Sequence, residues 1–136
     1  MGLNALANSG PTIKNLDDYG AVYRNYTWDR IKAGDSSLEA AAIEIAGDIS
    51  SQYGSEVPVI LSICGDSVLG LPSSAGTGAI GYSVDDVYRF IALVTRSCKV
   101  SSLTVAELKT SLQPTSSAVI GEFLTQCLHI YHENSK

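Results

Sequence analysis

The order of patterns between Val57 and Leu108 restricts the fold more than any other feature of the chain. An apolar run, Val57-Pro58-Val59-Ile60-Leu61-Ser62-Ile63, is followed by a loop of small residues, a helical pattern and a second apolar run over residues 100–105. Two strands joined through a helix run parallel, because a hairpin suffices for an antiparallel pair and a parallel pair needs a crossover. The first run is apolar on both faces, as expected of a central parallel strand covered by helices on each side. Pro58 stands near its start, where a missing amide donor is tolerated. In open parallel sheets ligands bind at the carboxyl ends of the strands, where strand ends and helix starts converge. A site is therefore expected at Cys64-Gly65-Asp66 and at Ala106-Glu107-Leu108.

Upstream of this unit, residues 2–6 read as a short strand and Asn8-Ser9-Gly10-Pro11 as a turn. A short helix over residues 12–19 closed by Gly20 follows, then a strand over residues 21–26. Ser36-Ser37-Leu38-Glu39 fits a capping box, in which hydroxyl and carboxylate satisfy each other's free backbone amides at a helix start. Leu38, Ala41, Ala42, Ile45 and Ile49 recur at helical spacing, so this helix buries one stripe and ends near Tyr53-Gly54. Ser83 caps the crossover helix, whose buried stripe is Val84, Val87, Tyr88, Ile91 and Val94. Pro114 and Thr115 open a last helix through Tyr131 with Val119, Phe123, Cys127 and Ile130 on one face, and Glu133 to Lys136 are expected to fray. Strand and helix alternate throughout. The expected fold is a single α/β domain over residues 1–136, with a parallel sheet of about four strands and helices on both faces.

Charge narrows the partners. Nine Lys and Arg against fourteen Asp and Glu give a net charge of −5, and there is no basic run to face nucleic acid or an anionic membrane. Three cysteines, an odd number without C-x-x-C spacing, suit a reducing compartment better than a disulfide framework. No apolar run approaches the ~20 residues of a membrane helix, and the first residues lack the basic start and apolar core of a secretory signal. A soluble, cytoplasmic protein is expected.

Cys64, Asp66 and Glu107 carry the first chemical possibility. Residues two apart at a strand end point the same way, so the Cys64 sulfur and the Asp66 carboxylate could share a metal ion, with Glu107 facing them from the neighbouring strand. The bland alternative is a small buried thiol at Cys64 and a loop-capping Asp66. A rival lies in Gly76-Thr77-Gly78-Ala79-Ile80-Gly81, which matches G-x-G-x-x-G before a helix, as in dinucleotide-binding domains. That fingerprint requires the first glycine directly after the strand, and here a polar loop separates Ile63 from Gly76. His129 and His132 have a spacing that could hold a metal, or they face solvent and the negative end of the helix dipole.

Taken together, Ser62-Ile63-Cys64-Gly65-Asp66, the loop through Gly76-Thr77-Gly78 and Gly81-Tyr82-Ser83, and Val105-Ala106-Glu107-Leu108 resemble the carboxyl-terminal half of the ureohydrolase superfamily, which includes arginase, agmatinase and formimidoylglutamase. The formimidoylglutamase branch is the most similar. The resemblance implies an arginase-like three-layer α/β fold and hydrolysis of a linear amidine or guanidinium C–N bond by a hydroxide bridging two manganese ions. It puts Cys64 and Asp66 at the family's Asp-x-Asp metal ligands, Glu107 at the residue that orients the substrate, and Thr77 in the loop flanking the site. Cys64 replaces a hard oxygen ligand with a soft sulfur. Leu69-Gly70 and Lys109-Thr110 stand in place of the family's Asp-Pro and Asn-Pro pairs. The Gly-Gly-x-His and Asp-x-His-x-Asp segments that carry the family's other ligands do not occur in this sequence. The resemblance therefore implies a fragment or truncated relative, inactive as an isolated chain. Alternatives are a noncatalytic pseudoenzyme or interaction module that pairs with a catalytic relative in a homo- or hetero-oligomer, and a nucleotide-binding domain.

Overall fold

The computed structural model describes residues 18–19, 33–34, 36–74, 76–77 and 81–135, with backbone alone at 76–77. The chain divides into two compact units, residues 1–37 and 38–136, and the elements described here belong to the second. The strands expected over residues 2–6 and 21–26, and nearly all of the helix expected over 12–19, lie outside the described residues.

The second unit is α/β. Helix α1 (Leu38–Tyr53) leads into strand β1 (Pro58–Cys64), a 3-10 turn (Gly65–Ser67) and a short ribbon of β2 (Pro72–Ser73) and β3 (Gly76–Thr77); helix α2 (Val84–Ser97), strand β4 (Lys99–Ala106) and helix α3 (Ser116–Asn134) complete it. β1 and β4 are parallel neighbours with α2 as their crossover, as the sequence pattern requires.

Each boundary has a local cause. α1 starts directly behind Ser36-Ser37 and stops at Gly54, whose φ of 88° is open to glycine at little cost. α2 starts at the cap expected for it. The Ser83 hydroxyl accepts from the Asp86 amide at 3.1 Å and donates to the Asp86 carboxylate at 2.7 Å. α3 runs past the expected fraying point to Asn134, because Arg96 donates two hydrogen bonds to Asn134 Oδ1, at 2.7 and 3.1 Å, and so ties that end to α2.

The register of β1 on β4 shifts by one residue. Val59 pairs with Val100 but Ile60 pairs with Ser102, leaving Ser101 as a bulge whose hydroxyl donates to the Val59 carbonyl at 3.2 Å. The offset lets Val100 share the inner face with Leu103 and Val105, which strict alternation from Val100 would forbid. That inner face joins Val59, Leu61 and Ile63 in one core with Val87, Ile91 and Val94 of α2 and Ile120, Phe123 and Cys127 of α3. Completely buried Leu71 and Ile91 each contribute about 1.5–3 kcal/mol to the fold. α1 contributes Ala41, Ala42 and Ala46 as its buried residues, so small side chains let it approach α2 closely, while Ile45 and Ile49 of the expected stripe are only partly covered.

Among the described residues the parallel sheet has these two strands, and its helices cover one face. The other face carries Ile60, Ser62 and Cys64 of β1 beside Ser102, Thr104 and Ala106 of β4, and Ile60 is 72% exposed. The apolar run over β1 therefore reflects one packed face and a row of small or exposed residues on the other.

Candidate functional site

At the carboxyl end of β1 the chain turns immediately. Cys64 is still extended, Gly65–Ser67 forms the 3-10 turn, and the Ser67 hydroxyl donates to the Cys64 carbonyl at 2.6 Å. Gly65 is the only residue type this corner accepts without displacement. A methyl group there would sit 2.9 Å from Leu108 Cδ2, 3.1 Å from the Ala106 carbonyl oxygen and 3.2 Å from that of Glu107. The ends of β1 and β4 are thus pressed together, which brings Asp66 and Glu107 to one edge.

The β2–β3 ribbon clasps that edge. Ser73 bridges to Leu108, the Lys109 amide donates to the Pro72 carbonyl at 3.2 Å, and the Ser74 amide donates to the Glu107 carbonyl at 3.0 Å. Glu107 has a left-handed backbone, φ 60°, a conformation that costs a non-glycine residue roughly 1–2 kcal/mol and tends to cluster at functional sites. Its carboxylate Oε2 meets the Ser74 hydroxyl, which also lies 3.3 and 3.4 Å from the two carboxylate oxygens of Asp66. One hydroxyl hydrogen is shared between two carboxylates, each able to accept several donors. Such an arrangement suits a cation with more than one N–H to give.

The structure brings Asp66 and Glu107 together through Ser74. Cys64 lies on the exposed face of β1, and the 3-10 turn after it breaks the alternation on which a shared Cys64–Asp66 site would depend. No group of three or more His, Cys, Asp or Glu suited to a metal ion occurs among the described residues. The thiol of Cys64 and the carboxylate of Asp66 are too few donors, and too unlike, for a manganese pair.

Of Thr77, the backbone is described: it pairs with Pro72 in the ribbon. The glycine-rich loop does not open a helix from its first glycine, since Gly76 pairs with Ser73. Gly81 is explained by packing: a methyl group there would meet the Ser67 carbonyl oxygen at 2.7 Å, and the adjoining Tyr82 exchanges backbone hydrogen bonds with Ser67 and Leu69 at 2.9 and 2.8 Å. His129 pairs with Glu133 at 3.3 Å on the exposed side of α3, and His132 is also exposed. Ser74 is the member of the cluster that the sequence did not single out. The available signal was a hydroxyl residue in the loop between the two carboxylate-bearing strand ends.

A parallel βαβ unit with acidic groups at the carboxyl edge of its strands defines an α/β fold of the kind in which ligands bind at that edge. Comparison with solved structures narrows this to the arginase-like fold. Formimidoylglutamase from Bacillus subtilis superposes with a TM-score of 0.74 over 98% of this chain and 41% of its own, at 15% identity. Formiminoglutamase from Trypanosoma cruzi gives 0.70 over 98% and 43%, at 13% identity. Proclavaminate amidino hydrolase from Streptomyces clavuligerus gives 0.65 over 96% and 42%, at 21% identity. The chain spans about two fifths of the length of these proteins. No family model and no curated protein matches the sequence. No helix among the described residues is long and apolar enough to cross a membrane.

Proposed function

We propose that this chain is a relative of the ureohydrolases and that its Asp66–Ser74–Glu107 edge recognises a planar amidine or guanidinium cation. The observation that carries the reading is the convergence of two carboxylates from adjacent parallel strand ends on one serine hydroxyl. An amidinium presents a flat fork of N–H donors that matches a carboxylate through two parallel charge-assisted hydrogen bonds. In this reading Glu107 takes the fork, Ser74 fixes the carboxylate rotamer, and Asp66 adds negative potential from the other strand end.

Hydrolysis of the C–N bond also requires an activated water and stabilisation of a tetrahedral intermediate. Asp66, Ser74 and Glu107 do not provide both. The chain therefore binds, and cleavage requires further ligands supplied by residues beyond this cluster. The donor set favours a noncatalytic relative as the second reading, in which the edge retains recognition without turnover.

Formamidinium titrated into the full chain and followed by amide NMR tests this reading. Saturable shifts at Asp66, Ser74 and Glu107, lost in Glu107→Gln and much weaker with ammonium, support it. Equal responses to formamidinium and ammonium would refute fork recognition. Manganese-dependent release of formamide or urea by the isolated chain would refute the claim that it binds without cleaving.

A further inference from the structure

A concavity that shares no lining residue with the carboxylate edge lies between α2, α3 and the turn after the 3-10 element. It has a volume of about 410 Å³ and is lined by residues including Leu69, Val84, Tyr88, Val119, Glu122 and Phe123. That size falls within the range of small-molecule sites. Val119, expected on the buried stripe of α3, is 43% exposed at this groove, and Leu69 is 44% exposed. The apolar wall is therefore partly open to solvent.

The described lining carries charge of one sign. Among the described residues that line the groove, Glu122 is the one acidic side chain, and none is Lys, Arg or His. Among the described residues Glu122 has a neutral partner, accepting from the Gln126 amide at 3.1 Å. Tyr88 and Phe123 stack with ring centroids 5.7 Å apart and planes 23° from parallel, giving the groove an aromatic surface. Burial raises the Tyr88 phenol above its ordinary 10.0, and the nearby acidic groups Cys127, Glu122 and Asp85 raise it further.

We infer that this groove binds an organic cation with an apolar body, such as an alkyl- or arylammonium, its charge facing Glu122 and the Tyr88 ring and its body covering Leu69, Val84 and Val119. The carboxylate selects sign, the aromatic face adds a cation–π attraction, and the aliphatic wall excludes a bare, strongly hydrated ion. A charge-free apolar ligand would gain nothing from Glu122, and an anion would be repelled. This site is separate from the Asp66–Ser74–Glu107 edge, and its test does not depend on that one.

The experiment uses the full chain and benzyltrimethylammonium as probe, followed by amide NMR, with phenylacetate as an aromatic probe of opposite charge. Saturable shifts are expected at the residues around Tyr88, Val119 and Glu122. Glu122→Gln, a surface change at an exposed helical position that leaves the Tyr88 ring in place, is expected to weaken the cation about two- to fivefold, the scale of an exposed ion pair. Ala118→Phe, also at an exposed position lining the groove, should abolish binding by filling the space, with the spectrum elsewhere unchanged. Absence of saturable shifts, equal affinity for phenylacetate, or unaltered affinity in Glu122→Gln would each overturn the assignment.

Discussion

Replacing Gly65 with alanine tests the proposition that the two strand ends are held apart by no more than a hydrogen atom. The added methyl group would meet one movable side-chain atom, Leu108 Cδ2 at 2.9 Å, and two backbone oxygens, those of Ala106 and Glu107, at 3.1 and 3.2 Å. Leu108 can rotate away. The carbonyls cannot, since they belong to the end of β4 and to the residue clasped by Ser74. Overpacking of this kind costs about 1–3 kcal/mol, and each kcal/mol lowers the midpoint of a domain this size by roughly 4–8 °C. Thermal unfolding of Gly65→Ala, Leu108→Ala and the double variant, followed by far-ultraviolet circular dichroism, separates the two contributions. If the backbone contacts dominate, the costs of the single changes add, and Leu108→Ala rescues little of the Gly65→Ala loss. A midpoint for Gly65→Ala within about 1 °C of the parent, or its full rescue by Leu108→Ala, would refute the picture of rigid apposition.

Other outcomes follow from the same structure. At position 107, where φ is 60°, glycine should be more stable than alanine by about 1 kcal/mol in urea unfolding, and the reverse order would mean the left-handed geometry is absent in solution. Removing the Ser83 hydroxyl as Ser83→Ala should cost about 1 kcal/mol, with Ser83→Asp restoring most of it, because the Asp86 amide at 3.1 Å needs an acceptor. Burial pushes the Cys127 thiol up to about 11 from an ordinary 9.0, so the fold holds a proton that the unfolded chain releases. Stability is complete below about pH 9, falls as pH rises towards about 11, and loses roughly 2–3 kcal/mol in all. Urea midpoints for the parent should drop across that window, and Cys127→Ala should flatten the drop; an unchanged slope would assign it to other groups.

The sequence made the crossover unit legible because its cues were local. Two apolar runs, a Ser83 cap and a helical stripe at Val87, Ile91 and Val94 need no long-range knowledge, and β1 and β4 fall within a residue or so of where they were read. Asp66 and Glu107 were legible for the same reason, since parallel strands deliver their carboxyl ends to one edge. Ser74 was not, because its importance comes from a ribbon that folds back over residues far away in the chain. The 3-10 turn that begins directly after Cys64 was not legible either, since three residues leave no periodic mark. In α1 size does not decide burial: Ile43 is 61% exposed while Ala41 and Ala42 are 1% exposed. Helix-to-helix distance, which the sequence states only implicitly, selected the small side chains.

The bulge at Ser101 sets the phase of everything downstream in β4. With Ser101 set aside, the partners of Ile60 through Cys64 run without a break from Ser102 to Ala106. A chain shortened by that one residue would keep its inner and outer rows as they are, whereas a residue lost between Ser102 and Ala106 would carry Glu107 to the opposite side of the sheet. Length is thus free to drift at one position of the strand and fixed over the five that follow, and a gap in a related sequence falling on one side or the other of Ser102 would by itself tell whether the carboxylate edge had survived.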